Sequence, residues 1–159
     1  MIRLTNAIQF WLSFNNGAER LQLPVNPAVI RIGSSHGYED FTVAQLGEYT
    51  VIGDARLRDF SFSSHFPRDY NPSYCEYENI PAPWDAVATI ERWKASRRPI
   101  RLTITGTPIN YAVTIRQFDY EPERGGSPGD IYFDLTLKEY VFISVRRVDM
   151  TETAAKTSA

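Results

Sequence analysis

A chain of 159 residues has room for one hydrophobic core and little beyond it. Its 43% hydrophobic and 23% charged content, with nine Phe, nine Tyr and three Trp, is globular and excludes the disordered and collagen-like classes. With 17 basic against 19 acidic side chains it lacks the basic excess of a duplex-binding domain, offering only short pairs such as Arg97-Arg98 and Arg146-Arg147.

Cys75 is the single cysteine, so no internal disulfide is available. At the N-terminus Asn6, Gln9 and Ser13 interrupt the apolar residues, which predicts no signal peptide and synthesis and folding in a cytosol. No window approaches the roughly 18–20 apolar residues of a spanning helix, so no membrane partner is expected.

Along the chain the periodicity is that of strands. Phe10, Leu12 and Phe14 alternate with polar neighbours until Asn15-Asn16-Gly17 supplies a turn. Leu21 and Leu23 follow, stopped by Pro24 and Pro27; Ile30 and Ile32 end at Gly33-Ser34-Ser35. Phe41-Thr42-Val43 and Tyr49-Thr50-Val51-Ile52 form two arms around Gln45-Leu46-Gly47-Glu48. Leu57, Phe60 and Phe62 lead into a serine-rich stretch, and residues 67–83, dense in Pro, Asn and Tyr, predict an irregular crossing.

One helix is predicted over about 84–96. Pro83 and Asp85 suit its start, Val87, Ile90 and Trp93 or Lys94 share a stripe, and Pro99 ends it. Strands resume with Leu102 and Ile104, turn at Gly106-Thr107-Pro108, and return with Val113 and Ile115. Residues 121–130 read as an exposed loop. Ile131, Phe133, Leu135 and Leu137 then give a clean period of two, which Phe142 to Val145 continue or resume after a bulge near Glu139-Tyr140. The expectation is about eight short strands and one helix: a mainly β, α+β fold, an antiparallel barrel or sandwich flanked by the helix. Residues 1–148 form this domain, and 149–159, without a large apolar side chain, read as a flexible tail or linker.

The sequence offers little chemistry. Cys75 with His36 or His65 matches no nucleophile motif, and neither histidine belongs to a paired metal-ligand spacing. Ser61, Ser63 and Ser64 alternate with phenylalanines and lack a nucleophile elbow. The glycine-rich run at 125–129 precedes a strand, so it lacks the helix N-terminus that cradles phosphate. Asp134 and Glu139, five apart on a strand, point to opposite faces. Tyr70, Tyr74 and Tyr77 either pack the long loop onto the sheet or offer a protein or glycan contact. No catalytic residue, cofactor or metal is assigned, and an enzyme is not expected.

Three stretches carry a resemblance: LPVNP at 23–27, LGEYTVIGDARLRDFSFSSHFP at 46–67, and PIRLTITGTPINYAVTIRQFDYEPERGGSPGDIYFDLTLKEYVFISVRR at 99–147. Together they resemble the LysM-type baseplate proteins, tube initiators of contractile phage tails and of the phage-tail-like bacteriocins of Gram-positive prophage type. The resemblance implies a tail-tube-like fold. It further implies a hexameric ring of identical copies between the inner tube and the spike-bearing hub. The partners it implies are the tail-tube protein, the hub and spike proteins and the tape measure protein, within a virion or an extracellular particle. DNA would be met only in the lumen, where Glu121, Glu123 and Asp130 are placed.

Such proteins usually continue into a LysM module; TETAAKTSA looks like the start of a linker, so either the module is absent or the sequence ends before it, and a cell-wall glycan-binding role, the alternative function, is not carried onto these residues. In a ring, Asp40–Ile52 would project as a hairpin whose Phe41, Val43, Leu46, Tyr49 and Val51 pack on the next copy. The other reading is that these five fill the subunit's own core.

Overall fold

In a computed structural model, residues 8–122 and 128–143 are described. They form nine strands and a helix: β1 (Phe10–Phe14), β2 (Glu19–Gln22), β3 (Ile30–Gly33), β4 (His36–Val43), β5 (Gly47–Ala55), β6 (Asp59–Phe66), α1 (Pro83–Ala95), β7 (Ile100–Ile104), β8 (Asn110–Pro122) and β9 (Ile131–Glu139). Seven strands make one sheet in the order β2-β1-β7-β8-β9-β6-β3, and β4-β5 stand apart as a two-stranded sheet. Every pairing is antiparallel. The mainly β, single-helix expectation therefore holds.

The sheet is not a closed barrel. Its ladder ends at β2 on one side and β3 on the other. It nevertheless curls, because Phe10 on β1 and Phe62 on β6 touch across the interior although β7, β8 and β9 lie between their strands. Residues 23–29 bridge the open seam, and Pro24 and Pro27 withhold the amides a continuous ladder would need. Side-chain and loop bonds span it instead: Ser64 Oγ donates to the Val25 carbonyl at 2.7 Å, and the Glu76 amide to the Pro24 carbonyl at 2.8 Å.

Helix α1 packs into the curl. Pro83 occupies its first turn, and Asp85 there meets the positive end of the backbone dipole. Ala86, Val87, Ile90 and Trp93 fall on one stripe and join the core. Trp93 stacks on Phe14 at 5.9 Å, and its indole N–H donates to Glu19 at 3.2 Å. The same carboxylate accepts from the two terminal Arg92 nitrogens, at 2.6 and 2.9 Å, and this pairing holds Glu19 below the usual carboxylate range. One side chain of β2 thus ties the helix end to the sheet edge.

Several sequence expectations need correction. Residues 140–143 carry no strand, and Ser144 and Val145 lie outside the described residues. The reason is geometric: β6 begins at Asp59, opposite Lys138, so past Glu139 that flank offers no partner. Of the predicted loop at 121–130, Glu121 and Pro122 belong to β8, and residues 123–127 lie outside the described residues. The bulge foreseen near Glu139 instead lies in β8, between Ile115 and Gln117. Leu57 falls outside β6. Residues 67–82 form no strand or helix, as expected, and the proposed tail at 149–159 lies outside the described residues.

Candidate assembly interface

The turn at Ala44–Leu46 builds a long arm. Gln45 and Gly47 adopt φ of 70° and 94°, the left-handed geometry a tight reversal requires, and the Leu46 amide closes on the Val43 carbonyl at 3.2 Å. Directly opposite residues of an antiparallel pair share a face. Phe41 pairs with Tyr49 and Glu39 with Val51, with Val43 next along, so one face carries Phe41, Val43, Tyr49 and Val51, with Glu39 at its root end. The other carries Asp40 against Thr50, hydrogen-bonded at 2.7 Å, and Thr42 against Glu48, with Tyr38 and Ile52 near the root.

The arm is therefore amphipathic, yet nothing among the described residues of its own subunit covers it. Every residue from Tyr38 to Leu57 is exposed, and the hydrophobic core draws no residue from β4 or β5. Leu46 at the tip is 68% exposed and Ile52 near the root 70%. Of the five residues singled out from sequence, four line one face and Leu46 sits at the turn. The reading in which they fill their own subunit's core does not describe this fold. Elsewhere Phe60, Phe62 and Phe66 are buried and belong to that core.

A second surface lies near the other end of the strand order. It is a groove of about 550 Å³ on the outer face of β1 and β7. Inward positions Phe10, Leu12, Ile100 and Leu102 are buried, so the alternate residues Trp11, Ser13, Arg101 and Thr103 face outward and line it, with Arg20 and Phe142. The sequence alone does not single these residues out as a site. The signal was present in the alternation of β1 and β7, but which strands lie side by side was not.

The remaining candidates disperse. Cys75 is buried, with the Asn71 amide 3.5 Å from its sulfur. His36 opens β4, remote in the chain from His65 on β6. His65 stacks on Tyr132 at 5.1 Å and lies 5.4 Å from Tyr74; burial pushes its pKa down, partly offset by Asp130. Tyr77 donates its hydroxyl to the Gln22 carbonyl at 2.8 Å, and burial, with a smaller effect of Cys75, raises it to about 12. Tyr74 and Tyr77 thus anchor the irregular crossing to the sheet. Ser63 bonds Asp134 across the β6–β9 pair. Of the three residues expected in a lumen from the resemblance, Asp130 accepts the Arg68 amide at 2.8 Å, Glu121 is exposed on β8, and Glu123 lies outside the described residues. Among the described residues no helix is long and apolar enough to cross a membrane.

No protein-family model matches the chain. It is similar to the uncharacterized protein YqbP of Bacillus subtilis (strain 168), 37% identical over 148 residues. That alignment covers 93% of this chain and 66% of the relative, so the chain spans just under two thirds of the relative's length. Among solved structures it is similar to a chain in the tail of an empty gene transfer agent particle refined with C6 symmetry. There the identity is 16%, the TM-score 0.48, and the coverage 88% of this chain and 96% of that one. A chain of the six-fold symmetrised anti-feeding prophage baseplate is similar at 6% identity and TM-score 0.46, covering 89% and 93%.

Proposed function

We propose that this chain is a non-enzymatic structural subunit of a contractile tail-like particle, assembling with copies of itself into a ring that joins the inner tube to the central hub. The observation that carries the reading is the uncovered arm: a two-stranded hairpin with an apolar face that its own core leaves to solvent. An isolated pair of strands is at best marginally stable in water, and contiguous exposed apolar surface marks an interaction site. The arm reaches its working state when another chain covers Phe41, Val43, Tyr49 and Val51. The resemblance of residues 23–27, 46–67 and 99–147 to tube-initiator baseplate proteins supports a neighbouring copy as that chain, with the tail-tube, hub, spike and tape measure proteins as further partners.

Leu46→Asp tests the reading. The variant should remain folded, with an unchanged melting temperature, and should fail to enter particles when purified material is inspected by electron microscopy and pull-down. Normal particles containing the variant would refute the role given to the arm.

A further inference from the structure

The arm needs a seat, and the groove on the outer face of β1 and β7 has the chemistry for one. Cross-strand register places Arg20, Ser13 and Arg101 in a row over β2, β1 and β7. Strands lie about 4.8 Å apart, so the two arginine backbones flank the small serine at a separation of about 10 Å. No acidic side chain lines the groove among the described residues, and the Arg97-Arg98 pair leads into Pro99 on its rim. Beside this row stand Trp11 and Phe142, the latter 68% exposed. The site therefore presents two guanidinium groups around a short hydroxyl, next to an aromatic wall. It suits a partner that brings a carboxylate and an apolar side chain close together.

The arm brings that combination. From Ile32 to Ala55 the chain carries four carboxylates, Glu39, Asp40, Glu48 and Asp54, and no lysine or arginine. At its tip Leu46 and Glu48 are both exposed and two residues apart. We infer that the tip of one copy's β4–β5 arm seats in the β1–β7 groove of the next, Leu46 against Trp11 and Phe142, Glu48 between Arg20 and Arg101. This rests on the ring reading above and deepens it by naming the receiving surface.

The arm and the groove also belong to different strands. The arm leaves the sheet next to β3, one end of the strand order, while the groove spans β1 and β7 beside β2 at the other. Donor and acceptor are different surfaces, so the contact is head-to-tail, the kind that closes into a ring or continues as a filament.

Cysteine pairing tests it on the full chain, because the one native cysteine, Cys75, is buried. A variant with both Ser13→Cys and Glu48→Cys should, on mild oxidation of the assembled protein, give a ladder of covalent multimers that neither single variant gives. Arg20→Glu with Arg101→Glu should weaken self-association on the order of tenfold or more, and adding Glu48→Arg should restore it. Circular dichroism and melting curves check that each variant is folded, and Glu48→Arg at the exposed tip reports independently of the sheet substitutions. Self-association that is lost in Leu46→Asp but indifferent to the arginine reversals, with no ladder, would overturn the seat while leaving the ring reading in place. Arginine reversals that block particle entry without rescue by Glu48→Arg would assign the groove to an acidic segment of a different protein and also overturn it. Indifference to Leu46→Asp as well would remove both.

Discussion

Phe10 and Phe62 meet ring to ring at 5.9 Å, although three strands separate theirs in the ladder. The contact reports the curl of the sheet, and Phe62 is 4% exposed. Truncating a buried phenylalanine removes transfer energy and leaves a cavity, so Phe62→Ala should cost about 3–5 kcal/mol in urea unfolding. A loss under about 1 kcal/mol would mean that the interior closes without this pair.

The arm should behave in the opposite way. Val51→Ser removes an apolar group that touches no core residue, so monomer stability should change by less than about 0.5 kcal/mol. Denaturant midpoints of the two variants measured side by side give the contrast. A large loss at Val51 would show the arm folded back on its own subunit.

Much of this division was legible before the fold was seen. The alternation of Ile131, Phe133, Leu135 and Leu137 places β9 correctly, since a period of two survives wherever one face is buried. Pro83 and Pro99 bracket the helix because proline starts helices and cannot continue them. Non-local facts were hidden. β1 pairs with β7, some ninety residues away, and no local pattern announces it. Phe142 and Ile143 look like strand residues, yet β6 begins only at Asp59, opposite Lys138, and offers them no partner. Asp119 and Glu121 disguise the end of β8 as loop, because outward positions of a strand tolerate charge. The groove was invisible for the same reason as the pairing: its floor comes from strands that meet only in the folded chain.

His65 gives a pH dependence. Burial lowers its folded pKa below the ordinary 6.5, so the unfolded chain binds the proton more readily. Stability from this residue is present above pH 6.5 and is lost as pH falls through the folded value. Wild type should therefore lose melting temperature on acidification below 6.5 more steeply than His65→Phe, which keeps the stack on Tyr132 without the titration. Parallel curves would assign the acid sensitivity to other groups.

Tyr77→Phe isolates one hydrogen bond between the irregular crossing and β2. Losing the donor to the Gln22 carbonyl should cost about 1 kcal/mol, with the sheet otherwise unchanged. Because burial raises the tyrosine pKa to about 12, its contribution is fully present below pH 10 and fades as pH rises through 12. The gap between variant and wild type should accordingly narrow in strongly alkaline buffer.

At the root of the arm, Gly37 faces both Gly53 and Asp54 where the register slips between His36 and Tyr38. A methyl group at position 53 would stand 2.9 Å from the Gly37 carbonyl oxygen, too close for either backbone to stay in place. Six residues of strand separate that spot from the turn at Gly47, a lever of about 20 Å. Adding one carbon there works as a steering change: the shaft keeps its side chains and its charges, while the tip swings away from the place a neighbour would offer it.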